Sequence, residues 1–291
     1  MSKLETMPGI KNVLITDRLS NEAFLTLQGQ AYLKVQKSSK TYPTEDELKD
    51  THALMIRSQT QITAELLGKA KNLQLIVTAT SGFDHIDLPA CEKWGITVMN
   101  TPWANVPTTA QLTWSLVLAS VHKLVLGHQQ IKAGDWNRHL LTSTELSGKT
   151  YGVIGLGRIG SKVAEIAKCF GMNVLAYDPY CDEKNFQQVG AERAAYEEVL
   201  KGADVISFHV PLTRETHHML NKSQFEFIHR GIVLVNTSRG SVIHEQDLCE
   251  ALDQGWVGAC ALDVFEKEPL PRNSHLLRYP NVILSPHVGA A

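Results

Sequence analysis

Tyr151-Gly-Val-Ile-Gly155-Leu-Gly157-Arg158-Ile159-Gly160 carries three glycines at the spacing G-x-G-x-x-G. The motif directly follows a strand-forming run and directly precedes a helical pattern, Ser161 to Phe170. Each glycine has its own physical use in such a turn. Gly155 permits the sharp bend, Gly157 lets backbone approach a pyrophosphate, and Gly160 lets the helix sit close on the strand. The helix start, with Arg158 and Ile159, offers N–H donors and a positive dipole end to phosphates. Eighteen residues past Gly160, at the end of the next strand-forming run, stands Asp178. A carboxylate there accepts both ribose hydroxyls of NAD and repels the 2′-phosphate of NADP. NAD rather than NADP is the expected cofactor.

Such a loop belongs at the carboxyl edge of a parallel sheet, and the chain carries the strands for one. Asn12–Thr16, Ala53–Arg57, Leu75–Ala79 and Ile96–Met99 read as strands, with helices near Glu45–Thr51 and Thr63–Ala70. Tyr151–Gly155, Asn173–Tyr177, Val205–His209, Ile232–Asn236, Ala259–Val264 and Val282–Leu284 form a second set. The runs are apolar throughout rather than alternating, as parallel strands covered on both faces require. Strands interleaved with helices imply an α/β fold with right-handed crossovers. Two sets, one on each side of the long helix that precedes the glycine motif, predict two domains. A flavodoxin-like substrate domain takes residues 1–100 with 287–291, and a Rossmann-type NAD-binding domain takes 101–286. A long apolar helix over Pro107–Val125, opened by Pro and Thr, is predicted at the hinge. It is apolar around most of its circumference, so burial against a domain or a second subunit is expected.

Composition narrows the partners. The chain has 291 residues, is 43% hydrophobic and carries a formal net charge of −2 without a basic stripe. Neither nucleic acid nor an anionic membrane surface is an expected partner. No apolar run reaches spanning length, and Met1 to Ile10 lacks a signal-peptide core. Five cysteines, at 91, 169, 181, 249 and 260, form no C-x-x-C. Reduced, mostly buried thiols in a cytoplasmic protein are expected, with no metal site and no disulfide.

Beyond the glycine motif, several segments resemble the D-isomer-specific 2-hydroxyacid dehydrogenases. They are GKTYGVIGLGRIG (148–160), HVPLTRETHHMLN (209–221), VLVNTSRGSVIHEQDL (233–248), ALDVFEKEPL (261–270) and SPHVG (285–289), with TATSGFDHIDL (78–88) in the first half. VPTTAQLTWSLVLA (106–119) and IKAGDWNR (131–138) resemble the glycerate dehydrogenase and hydroxypyruvate reductase branch. The resemblance implies an enzyme passing a hydride between nicotinamide and a small 2-hydroxy or 2-keto acid. It implies that Arg239 grips the substrate carboxylate and polarises the keto oxygen. It makes His287 the general acid and base, suited by a reference pKa of about 6.5. Glu268 then holds the second ring nitrogen, with Glu266 the competitor. Asp263 meets the nicotinamide carboxamide, Thr237 and Ser238 line the cofactor beside Arg239, and His209 and Pro211 form its wall. His217 and His218 match no metal spacing and are expected at the surface.

On the substrate side, Ser81-Gly82-Phe83-Asp84 resembles the family loop whose backbone N–H groups meet the carboxylate. Ser81 stands where a second glycine is common. Arg57 reads either as a second positive charge at the pocket or as a solvated strand end, and Trp103 as a pocket wall or a core residue. Family members continue past S-P-H-V-G with a helix returning to the first domain, whereas this sequence ends at Ala291. A homodimer built around 107–125 is expected. Phosphoglycerate, lactate or phosphite dehydrogenases of the same family are alternatives, while Glu268 argues against formate. A non-catalytic NAD-sensing module resembling a corepressor is the alternative of another class.

Overall fold

The computed structural model describes residues 11–290. The segment 1–10, whose lack of a signal-peptide core is read above, lies outside the described residues. Two compact units divide between Ala104 and Asn105, and each is built on its own parallel sheet.

The first unit has strands β1 (Lys11–Ile15), β2 (Leu33–Lys37), β3 (Ala53–Ile56), β4 (Leu75–Thr78) and β5 (Thr97–Asn100), ordered β2-β1-β3-β4-β5. This is the flavodoxin-type doubly wound order. Leu14, Leu54, Ile56 and Ile76 bury one face of the sheet against Leu48, Leu66 and Leu67 of the covering helices. Those helices start at side-chain caps: Thr44 before Glu45–Lys49, in a capping box with Glu47, and Thr63 before Ala64–Lys69. Strand β2 and helices Asn21–Gln28 and Leu88–Lys93 are absent from the sequence reading. β2 reads Leu-Lys-Val-Gln-Lys, an edge strand with exposed lysines and no fully buried residue. A search for uniformly apolar runs passes over a strand of that kind.

The second unit has strands β6 (Thr150–Ile154), β7 (Asn173–Tyr177), β8 (Glu192–Arg193), β9 (Val205–Phe208), β10 (Ile232–Asn236), β11 (Val257–Leu262) and β12 (Val282–Leu284). Their order, β12-β11-β10-β9-β6-β7-β8, is entirely parallel. It is the Rossmann arrangement with one strand added beyond the sixth, and the chain reverses its direction of winding between β6 and β9. Every residue of β9 and β10 is buried, which accounts for their mostly apolar sequences, with Ser207 and Asn236 the polar exceptions.

Two expectations are corrected here. The helix read over Pro107–Val125 is two helices, Val106–Val121 and Leu124–Ala133, separated where Lys123 adopts a left-handed φ of 51°. Ala110, Trp114, Val117 and Val121 of the first helix are buried in a core shared with Val163, Ala164 and Ala167 of helix Arg158–Cys169. That apolar face is therefore covered within its own unit. Past Val121 the residues turn outward, so the break follows the loss of a core to face, and no proline or glycine marks it. The second correction concerns the terminal stretch, expected with the first domain. Residues 287–290 belong to the second unit, where Thr109 Oγ1 donates to Gly289 O at 2.7 Å. Among the described residues, no helix is long and apolar enough to cross a membrane.

Candidate active site

The glycine loop leaves the carboxyl end of β6. Gly155 takes a φ of 92°, and a Cβ there would lie 2.7 Å from His209 O. A Cβ on Gly160 would fall 1.9 Å from Gly155 O, so only glycine permits this packing. At Gly157 the corresponding space is open, with no atom within 4 Å. No side chain caps helix Arg158–Cys169, whose N-cap is Gly157. An open backbone face beside an uncapped helix start fits a pyrophosphate. Arg158 is exposed and Ile159 partly buried.

Asp178, at the end of β7, spans the same edge. Its Oδ2 accepts from Leu156 N at 2.8 Å, and its Oδ1 accepts from Tyr180 N and Cys181 N at 2.9 and 3.2 Å. The carboxylate thus braces the glycine loop. His209, just past β9, shares a 2.7 Å hydrogen bond between Nε2 and Ser207 Oγ. Burial lowers its pKa to about 3, so this imidazole is neutral. Pro211 is exposed beyond it.

Arg239, Asp263, Glu268 and His287 follow β10, β11 and β12 and gather at one sheet edge. Arg239 Nη1 donates to Ser238 O at 2.7 Å, and Asn236 Nδ2 donates to Arg239 O at 2.9 Å. Thr237 and Ser238 are buried and turn their hydroxyls inward. Thr237 shares a 2.8 Å bond with Thr113, and Ser238 donates to Asn236 Oδ1 at 2.8 Å. Asp263 is buried, and its carboxylate is spent on the closing turn. It accepts from Ser285 Oγ at 2.6 Å, Val288 N at 3.0 Å and Gly289 N at 2.9 Å. That turn holds His287 at a φ of 53°.

His287 Nδ1 lies 2.7 Å from Glu268 Oε2, the ring donating and the carboxylate accepting. Glu268 Oε1 accepts from Phe265 N at 3.1 Å. The bond to Glu268 raises the pKa of His287; desolvation and the Arg239 charge oppose it and are outweighed. Desolvation pushes the Glu268 carboxyl up, but the bonds from His287 and Phe265 N–H prevail and its pKa is lowered. Glu266 is engaged elsewhere, 2.9 Å from His218 Nε2.

In the first unit, Arg57 is partly buried at the end of β3, and its N–H donates to Asp17 Oδ2. Ser81 O accepts from Asn100 Nδ2 at 2.8 Å, and Gly82 O accepts from Thr80 Oγ1 at 2.6 Å. Trp103 is 69% exposed, which removes the core reading. His217 is exposed, but His218 is partly buried, with Nε2 2.9 Å from Glu266 Oε1. Sequence reading missed the residues that hold the others in place: Asp17, Thr113, Asn236 and Ser285. Each is a polar side chain next to an apolar run, a pattern shared by many turn and strand-end residues.

A Rossmann-type unit with an open glycine loop, following a flavodoxin-type unit, defines a dinucleotide-binding α/β protein. The profile described as "D-isomer specific 2-hydroxyacid dehydrogenase, NAD binding domain" matches residues 114–289, and the chain belongs to that family. It is 38% identical over 279 residues to the D-3-phosphoglycerate dehydrogenase of Bacillus subtilis (strain 168), covering 96% of this chain and 53% of that protein. The chain thus spans about half the length of that relative. It is 37% identical to the hydroxypyruvate reductase of Thermotoga maritima, covering 96% of this chain and 91% of the relative. Among solved structures, the D-lactate dehydrogenase of Aquifex aeolicus, complexed with NAD and lactic acid, matches at a TM-score of 0.86 and 34% identity. That match covers 96% of this chain and 89% of the other.

Proposed function

We propose that this chain is an NAD-dependent dehydrogenase that interconverts a small D-2-hydroxy acid and its 2-keto acid. Hydroxypyruvate and glyoxylate are the first substrates to test. The observation that carries the reading is the His287–Glu268 pair at 2.7 Å, beside Arg239 at one sheet edge. The bound nicotinamide supplies or accepts the hydride. Gly155, Gly157 and Gly160 with the helix start hold the pyrophosphate, and Asp178 selects NAD over NADP. Asp263 would meet the nicotinamide carboxamide, and His209 and Pro211 would wall the cofactor, with Thr237 and Ser238 lining it beside Arg239. Arg239 grips the carboxylate with two parallel N–H···O bonds and draws charge onto the keto oxygen. In reduction, imidazolium His287 gives its Nε2 proton to the oxygen as the carbonyl becomes an alcohol. In oxidation, neutral His287 takes that proton back. Arg57, Ser81 and Gly82, in the first unit, are further candidates for binding a substrate carboxylate.

A panel of 2-keto acids, including a phosphorylated three-carbon one, tests this with NADH and NADPH in parallel. Turnover with NADH preferred is expected. NADH binding without turnover of any member would favour the non-catalytic NAD-sensing alternative.

Glu268→Gln should move the alkaline limb of keto-acid reduction to lower pH. Reduction needs imidazolium, and Glu268 raises the His287 pKa; a neutral amide holds the proton less firmly, so the ring deprotonates at lower pH. The measurement is kcat/KM against pH, and an unchanged limb would remove Glu268 as the partner.

The protein is further proposed to be a homodimer. Its contact is expected just past the first long helix, where Leu124, Trp136 and Leu140 are 65%, 79% and 55% exposed. A monomer by light scattering at micromolar concentration would overturn this. A reducing compartment such as the cytosol suits its five free thiols, which cell fractionation can check.

A further inference from the structure

Besides the His287–Glu268 pair, the loops after β9, β10 and β11 bring together His218, His244 and Glu266. One donor atom of each lies within 4.8 Å of the other two. We propose that these three residues bind one borderline divalent cation of the zinc type, with water completing the coordination. This reverses the sequence expectation of no metal. His217-His218 alone has no ligand spacing, and the fold supplies partners 26 and 48 residues beyond His218.

The cluster is built rather than incidental. His218 adopts a φ of 51°, which few side chains other than Asn and Asp take without cost. It is held there by His218 N donating to Ser241 O at 2.7 Å and by the Leu220–Ile243 bridge. Its Nε2 lies 2.9 Å from Glu266 Oε1, and its ring meets His244 edge-on at 4.6 Å. Glu266 is fixed in turn by Glu245, whose Oε1 accepts from Glu266 N at 2.7 Å. His244 Nδ1 is shut off from solvent and lies 2.9 Å from Asp247 Oδ2, yet makes no aligned hydrogen bond. A turn of the ring that brings its other nitrogen onto a metal would align this pair. The result is the carboxylate-supported imidazole common in metal sites.

Chemistry and charge select the metal class. Two imidazoles and one carboxylate suit zinc, nickel or copper and disfavour calcium or magnesium, which take oxygen ligands. Metal–nitrogen bonds of about 2.0–2.1 Å put tetrahedral ligands about 3.3 Å apart. The widest pair therefore has to close by less than about 2 Å, within side-chain rotation. His244 caps helix Glu245–Asp253, whose N-terminal dipole disfavours a cation. Glu245, Asp247 and Glu266 surround that end and supply the opposing charge. A bound ion would clip together three loops, two of which also carry Arg239 and Glu268. The site is therefore structural, and it stands whether or not the proposed dehydrogenase activity is found.

The test is calorimetric titration of the full chain, without a histidine tag, with zinc chloride. Wild type is compared with His218→Asn and His244→Asn. Asn tolerates the left-handed backbone at 218 and is a good N-cap at 244, and circular dichroism without metal checks the fold of both. Wild type should bind one equivalent at micromolar zinc, and each variant should lose at least about 10-fold in affinity. Cobalt should give visible d–d bands with no thiolate charge-transfer band. Three results would overturn the site: no stoichiometric zinc binding, equal binding by both variants, or a thiolate band marking a cysteine site such as Cys169.

Discussion

Replacing His287 with alanine is expected to lower kcat for keto-acid reduction by about 100- to 10,000-fold, the usual worth of a positioned general acid. NADH affinity should hardly change, because the glycine loop and Asp178 carry most of the cofactor contact in the proposed mode. The two readouts separate chemistry from binding. Alanine keeps the backbone question constant, since it must also occupy the left-handed region at 287. Steady-state kinetics with a fluorescence titration of NADH would measure both quantities. A kcat within threefold of wild type would show that another group protonates the alkoxide.

Arg239→Ala should damage KM and kcat together. A bidentate, charge-assisted grip on a carboxylate is worth roughly 1.5–3 kcal/mol per bond. Losing both carboxylate bonds raises KM, and losing the charge beside the keto oxygen in the transition state lowers kcat, so kcat/KM should fall by about 100-fold or more. A second readout guards against a merely structural effect. Arg239 lowers the His287 pKa, so removing the positive charge should move the alkaline limb to higher pH, opposite to Glu268→Gln. A variant with raised KM but unchanged kcat and pH profile would mean that Arg239 only binds the substrate.

Much of this is legible in the sequence. The glycine spacing and the strands Asn173–Tyr177, Ile232–Asn236 and Val282–Leu284 were read with the bounds the structure gives. Buried parallel strands announce themselves because both faces need apolar residues. Edge elements do not: β2 alternates with lysine, and β8 is two polar residues long. The break at Lys123 was invisible because lysine is a good helix former, and only the end of the underlying core dictates the turn. For the site, motifs resembling those of the family named Arg239, Glu268 and His287 as candidates. What they could not give is how the side chains are spent. Asp263 braces the turn around His287, and Thr237 and Ser238 face inward. The Asp263 and Thr237 assignments depend on contacts between residues 22 or more positions apart.

The left-handed backbone at His287 bears on how such sequences diverge. A β-carbon at a φ of 53° costs roughly 1–2 kcal/mol relative to ordinary helical or extended geometry. Glycine or asparagine would suit that turn better, and neither can hand a proton to an alkoxide at neutral pH. Under the proposed mechanism, folding and chemistry pull this position in opposite directions, and selection for turnover would keep histidine there. In a descendant that retained NAD binding but had no reaction to perform, drift would run toward glycine or asparagine at 287 while Gly160, locked by packing, stayed fixed. The residue found at this one position can thus sort working enzymes from silent sensors within a lineage.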